Sequence, residues 1–166
     1  MQDLNPFQWA VRPLKRYAVF DGRAPRAEFW WYSIIFGSLR GLLGVLDGRY
    51  FSPVIGVYGP LALFSMLAFT VPSIAVEIRR LHDINRSGWW MLLSIWNFGL
   101  AVLGFAAQNT ERLFENISHV ATFVIVIAAL ACMVIQFVFS ITAGTGGSND
   151  YGPDPYGPDR LEEVFA

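Results

Sequence analysis

The densest group of chemically capable side chains is Glu77, Arg79, Arg80, His82, Asp83 and Arg86, all within one short stretch. Guanidinium groups match phosphate and carboxylate oxygens two at a time. With Arg23 and Arg26 from an earlier segment, these arginines could hold a phosphate or a lipid headgroup. His82 beside Asp83 or Glu77 could also move a proton. A structural account covers the same residues. On a helix Glu77 and Arg80 are one turn apart, as are Arg79 and Asp83, so ion pairs could satisfy them. Asn85 suits a left-handed helix end, and Ser87 suits the start of the next helix. Arg79 and Arg80 point about 100° apart on a helix and cannot share a partner. Glu77 therefore makes Arg80 the locking residue and leaves Arg79 freer to meet lipid phosphate or Glu28. A lone histidine beside a carboxylate is weak ground for catalysis. No zinc-ligand spacing, nucleophile elbow or phosphate-cradling glycine loop accompanies it. No catalytic residue, metal or cofactor is expected.

A second group consists of single polar residues inside apolar runs: Arg40, Asn97, His119 and Gln136. An arginine at the centre of a membrane span costs about 2.5–3.5 kcal/mol on insertion scales. Asp47 lies two turns after Arg40 on the same helical face, so Arg40 is expected to snorkel outward toward it or toward the outer headgroups. Its sharper alternative is a charge lining a polar cavity. Asn97, His119 and Gln136 are expected to act as interhelical hydrogen-bonding groups.

The elements that must carry these residues follow from composition. Apolar residues make up 54% of the 166, aromatic residues 16% and charged residues only 15%, too few charges to solvate a globule of this size. That excludes a nucleic-acid domain. The single cysteine, Cys132, excludes an internal disulfide. Four apolar runs, at 29–46, 54–78, 89–107 and 117–143, are each long enough to cross a hydrocarbon core. The expected fold is an all-α membrane protein with four transmembrane helices in an up-down bundle.

The segment 1–28 is expected to be cytoplasmic. It contains an interfacial helix with Phe7, Val11, Leu14 and Ala18 on one face, which Pro13 either starts or breaks. The tail 144–166, rich in Gly, Pro, Asp and Tyr, is expected to be extended or flexible. Lys and Arg outside the spans fall nine to two on the side of the termini, which places both termini in the cytoplasm. Ser33, Gly37, Gly41, Gly44 and Gly48 form a stripe of small residues in the first span. It suits close packing against another span, or a seam between two copies.

Three motifs carry a resemblance. They are Phe20-Asp21-Gly22-Arg23-Ala24-Pro25-Arg26-Ala27-Glu28-Phe29-Trp30, then Arg79-Arg80-Leu81-His82-Asp83-Ile84-Asn85-Arg86-Ser87-Gly88-Trp89-Trp90, then Gly147-Ser148-Asn149-Asp150-Tyr151-Gly152-Pro153-Asp154-Pro155. In this order they resemble the bacterial domain-of-unknown-function family 805, over about residues 13–155. The family usually has Thr-Gly where this chain has Ile84-Asn85, and often a basic residue at Asp150. The resemblance implies a small, multi-pass protein of the bacterial inner membrane. All three motifs then fall on the cytoplasmic side. There Arg23, Arg26, Glu28, Glu77, Arg79, Arg80, His82, Asp83, Arg86 and Asn149 form one cluster, a structural lock or a binding face. The function expected is a non-catalytic scaffold or accessory protein that binds anionic lipid or a protein partner. A transporter or channel component is the alternative, with a second copy as a further candidate partner. A headgroup-modifying enzyme is the third.

Overall fold

The computed structural model describes residues 4–51, 53–54, 58–94 and 119–157. Among these the protein is helical, with no strand. It divides into two compact units, Met1–Gly88 with Ala143–Ala166, and Trp89–Thr142. Three helices are long and apolar enough to cross a membrane: α2 (Arg26–Tyr50), α3 (Pro60–Asp83) and the Phe123–Ile141 portion of α4 (His119–Ile141). A short amphipathic helix, α1 (Pro6–Lys15), precedes them. The expected third span, 89–107, lies largely outside the described residues, as do Asn97 and the side chain of His119.

In the first unit, Asn5 and Gln8 form a reciprocal capping box that starts α1, with Pro6 in the first turn. Pro13 neither starts nor ends the helix. It lies buried in the last turn, where α1 packs on α2 and α3. The expected stripe is corrected accordingly. Ala10 and Pro13 are buried and Leu14 packs on the core, while Phe7 stays 65% exposed and Ala18 falls beyond the helix.

Helices α2 and α3 are antiparallel, since Glu28 near the start of α2 meets Arg79 near the end of α3. They pack through Tyr32, Phe36, Phe69 and Val76. The Tyr32 hydroxyl donates to the Phe69 carbonyl at 3.1 Å and sits 3.1 Å from Ser73 Oγ. Thr70 and Ser73 donate back to the Met66 and Phe69 carbonyls, the intrahelical use that hydroxyls find in lipid. The glycine stripe does not face α3. Among the described residues, a Cβ at Gly37, Gly41, Gly44 or Gly48 would meet nothing within 4 Å.

Both helices differ from the apolar runs at their ends. Helix α3 begins at Pro60, in the first-turn position where its missing N–H costs nothing, so Pro60 does not kink a span. It continues past Ile78 through Asp83, because the charged residues there are paired rather than solvated. Helix α2 likewise extends from Arg26 to Tyr50.

Asp47 departs from the expected pairing with Arg40. Its carboxylate accepts from the Leu61 and Ala62 amides at 3.1 and 2.6 Å and caps α3 from outside its own chain segment. Gly59 is required beside it, since a Cβ there would overlap the carboxylate. Losing a helix cap costs about 0.5–2 kcal/mol, and the helix dipole adds to that for a charged cap. Asp47→Ala is therefore expected to lose about 2 kcal/mol of stability, with Asp47→Asn losing less, as measured by thermal unfolding in detergent. Equal stability of Asp47→Ala and the wild type would dismiss the cap.

In the second unit, Gln136 Nε2 donates to Ser94 Oγ, and Trp90 meets Phe139 edge-on at 5.4 Å. Phe123, Met133 and Phe137 of α4 are exposed, the pattern of a lipid-facing helix.

Candidate functional site

The end of α3 is shaped by its own stop signal. Asn85 takes φ of 55°, the Asn85 amide donates to the His82 carbonyl at 3.0 Å, and the Arg86 amide donates to the Leu81 carbonyl at 2.9 Å. This is the Schellman arrangement, with Asn in the position Gly usually fills. The turn fixes Arg79, Arg80, His82 and Asp83 against the start of α2.

Two linked sets of charges result. In the first, Arg79 Nη2 donates to Glu28 Oε1 at 2.8 Å, and Arg12 Nε from α1 lies 3.4 Å from Glu28 Oε2. Arg79 Nη1 donates to the Val19 carbonyl at 2.5 Å. Arg79 and Glu28 are both 0% exposed. In the second set, Asp83 accepts from Arg23 Nε at 3.0 Å on Oδ1 and from Arg80 Nη1 at 2.8 Å on Oδ2. Arg79, read from sequence as the freer arginine, is instead fully enclosed. The reason is that Glu28 reaches it from α2, across a gap of 51 residues in sequence. Asp83 likewise serves Arg23 and Arg80, rather than Arg79 one turn before it.

The tail is the larger correction. Residues 143–157 are not an extended segment but fold onto the second set. Arg23 donates to the Gly147 carbonyl at 2.6 Å and the Thr145 carbonyl at 2.5 Å. The Thr145 amide donates to the Asp83 carbonyl at 2.9 Å. Asn149 Nδ2 donates to the His82 carbonyl at 2.9 Å and to Thr145 Oγ1 at 2.9 Å. Tyr151 stacks on His82 with ring centroids 3.9 Å apart. His82 Nδ1 lies 3.2 Å from the Gly22 carbonyl, which can only accept, so Nδ1 carries the proton. Asp154 takes the Gly147 and Tyr156 amides on its two oxygens and holds the tail turn together. The Tyr156 phenol is pushed above its ordinary value by desolvation first and by the Asp83 charge second.

The structure thus brings together Arg23, Glu28, Arg79, Arg80, Asp83, His82 and Asn149. Arg26 is exposed at the rim, where its charge bears on Arg80. Glu77 is half-buried one turn earlier, and Arg86 is exposed. Arg12, Thr145 and Tyr151 belong to the site but were not singled out from sequence. The tail motif held Tyr151, whereas nothing in the sequence separated Arg12 from the other bases of α1.

A Cβ at Gly144 would overlap the Asp83 carboxylate, which Arg23 and Arg80 hold from two sides. Gly144→Ala is therefore expected to cost about 1–3 kcal/mol, as overpacking does, in thermal unfolding. A neutral Gly144→Ala would mean the carboxylate can move.

Of the intramembrane group, Arg40 Nη2 donates to Thr70 Oγ1 at 3.2 Å, and no carboxylate contacts it among the described residues. A planar fork is then not essential, and Arg40→Lys is expected to unfold within a degree or so of the wild type. A clear loss would indicate a bidentate partner.

A family model described as "Protein of unknown function (DUF805)" matches residues 17–153. The chain belongs to this family. The matched span takes in α2, α3, α4, both charge sets except Arg12, and the tail through Pro153. Among its relatives, the "Inner membrane protein YhaI" of Escherichia coli (strain K12) is 32% identical over 149 residues, covering 89% of this chain and 95% of YhaI. The "Inner membrane protein YhaH" of the same organism is 32% identical over 148 residues, with the same coverage. The "Uncharacterized protein YiiR" is 29% identical over 136 residues, covering 81% of this chain and 84% of YiiR. No solved structure matches the chain. The relatives' names and the long apolar helices agree on a membrane protein of the inner-membrane kind.

Proposed function

We propose that this family member is a non-catalytic accessory protein of the inner membrane, with four spans, both termini in the cytoplasm, and a cytoplasmic face that binds anionic lipid. The observation that carries this reading is the placement of α1. This amphipathic helix bears Arg12 and Lys15 in its last turn, and the Arg12–Glu28 ion pair ties it to the start of α2, beside the end of α3 where the arginines gather. Phe7, Tyr17, Val19 and Phe20 remain exposed around it. Basic and apolar side chains together at one level are what a headgroup region accommodates. His82 and Asp83 are engaged in stacking, backbone and ion-pair contacts, which supports a structural use over acid–base chemistry.

Two experiments test the reading. Reporter fusions after Ile78 and Ala166 should report cytoplasm, and fusions after Tyr50 and Ala107 periplasm. A cytoplasmic signal after Tyr50 would overturn the topology. For lipid, Phe7→Trp adds a reporter on the exposed face. The extra quenching of Phe7→Trp over the wild type, whose six tryptophans set the background, should be larger in brominated anionic than in brominated zwitterionic nanodiscs, and Lys15→Gln should reduce the difference. Equal quenching in the two lipids would overturn the lipid reading. Selective solute flux in liposomes, lost in Arg40→Leu, would favour transport in its place.

A further inference from the structure

We infer that Arg12, Arg16 and Arg79, with Glu28, form a site for a phosphate-class anion that itself carries a hydroxyl donor. The inference deepens the lipid-facing reading and rests on it only for the ligand's source. At the junction of α1 with α2 and α3, two guanidiniums meet one carboxylate, and Arg16 adjoins them, its carbonyl accepting from Arg79 Nη1 at 3.5 Å. Arg79 Nη2 and Arg12 Nε both address Glu28, at 2.8 and 3.4 Å, and the Arg12 and Arg16 charges both bear on Arg79.

Among the described residues, three buried polar atoms at this junction lack a hydrogen bond: Arg16 Nη1, Arg79 Nε and Glu28 Oε2. Elsewhere in the cluster every nitrogen of Arg23 is used, so the vacancies are local to this corner. Buried polar groups are ordinarily satisfied, and each exception calls for a partner. Water could meet the hydrogen bonds but would leave the surplus positive charge uncompensated.

The mixture of vacancies selects the ligand. Two cationic N–H groups call for anionic oxygens, which phosphate presents in the geometry guanidinium matches. Glu28 Oε2, faced only by the 3.4 Å Arg12 contact, has capacity for a further donor and would repel an anion that has none. A phosphate bearing a P–OH supplies both, and so does a phosphodiester whose headgroup carries an alcohol. Sulfate, fully ionised at neutral pH, offers no donor to Glu28. Inorganic phosphate and a glycerol-bearing phospholipid share the required chemistry, and the test separates them.

The full-length protein, purified in detergent free of phosphate, is melted in rising phosphate or sulfate at constant ionic strength. In parallel, lipid retained from phosphatidylglycerol-containing nanodiscs is counted by native mass spectrometry. Phosphate, and not sulfate, should raise the melting temperature, and Arg16→Gln should weaken that apparent affinity by about tenfold or more. Arg16→Gln leaves the Arg79–Glu28 and Arg12–Glu28 contacts in place. Loss of one retained phosphatidylglycerol in Arg16→Gln assigns the site to a headgroup. A phosphate shift with unchanged retained lipid assigns it to the free anion. Equal shifts in phosphate and sulfate, or none in either together with lipid retention unaffected by Arg16→Gln, would overturn the site. The wild-type comparison of the two anions stands even if Arg16→Gln folds poorly. Lipid-dependent quenching at Phe7→Trp with neither a phosphate response nor lipid loss in Arg16→Gln would sink the site and leave the lipid reading intact. The converse result would sink the lipid reading alone.

Discussion

Arg79→Ala should lower stability by about 3–5 kcal/mol, the cost of leaving one partner of a buried ion pair behind. The Arg79 and Glu28 side chains are fully enclosed and in contact at 2.8 Å. Truncating the arginine strands the Glu28 carboxylate with only Arg12, at 3.4 Å and partly exposed. It also removes the donor to the Val19 carbonyl and so loosens the segment that connects α1 to α2. Arg86→Ala is the control. Arg86 is exposed, and surface substitutions of this kind usually stay within about 0.5 kcal/mol. Glu28→Ala should match the Arg79→Ala loss, and the double substitution Glu28→Leu with Arg79→Met should recover much of it, since well-packed apolar side chains often replace a buried pair without penalty. The checks are thermal or denaturant unfolding in detergent and a double-mutant cycle. A loss near 1 kcal/mol or less for Arg79→Ala would put the pair in the range of exposed ion pairs and remove the lock.

The sequence exposed the long helices and hid their partners. Apolar runs marked α2, α3 and α4 because lipid demands uninterrupted apolar surface. The start of α2 was misplaced, because the helix runs on through the paired charges at Arg26 and Glu28, whereas Asn85 marked the end of α3 past Arg79 and Asp83. Hydropathy sees those residues as polar and cannot see that each is satisfied. Asp47 shows the same blindness: two turns from Arg40 it reads as an ion-pair partner, yet it caps a helix that begins 13 residues later. Local spacing also proposed Arg79 with Asp83, because i to i+4 pairs are the ones sequence can display. The partner that wins, Glu28, is far along the chain, and sequence offered it only beside lipid phosphate. The tail was misread for a related reason. Gly, Pro and Asp signal an absence of regular structure, and 143–157 indeed has little. Its order comes from long-range hydrogen bonds to carbonyls, which no composition reveals.

The other large effect concerns the tail. Arg23→Ala should release residues 143–157 from the end of α3 while leaving α2 and α3 paired. Arg23 is 4% exposed, and its three nitrogens reach Asp83 Oδ1, the Asp83 carbonyl, the Thr145 carbonyl and the Gly147 carbonyl. Bonds from a charged donor are worth about 1.5–3 kcal/mol each, so losing two to the tail, with a buried carboxylate contact besides, puts the expected local cost at about 3 kcal/mol or more. Asp83 keeps Arg80, and the Ala24 amide keeps its 2.9 Å bond to the Arg79 carbonyl, so the helix pair has independent ties. What remains on the tail is the Thr145–Asp83 contact, Asn149 on the His82 carbonyl, and the Tyr151–His82 stack. Local opening rather than global unfolding is then the expected response. Hydrogen exchange at the Asn149 and Gly152 amides, which are bonded to each other's carbonyls in the intact turn, should speed up by about a hundredfold, at one decade per 1.4 kcal/mol. Limited proteolysis should cut within the tail of Arg23→Ala before it cuts the wild type. Asn149→Ala, which removes neutral bonds only, should show the same pattern with a smaller rate increase. Unchanged exchange at Asn149 and Gly152 in Arg23→Ala would show that the tail holds itself without the arginine, and the second charge set would then reduce to an Arg80–Asp83 pair on α3.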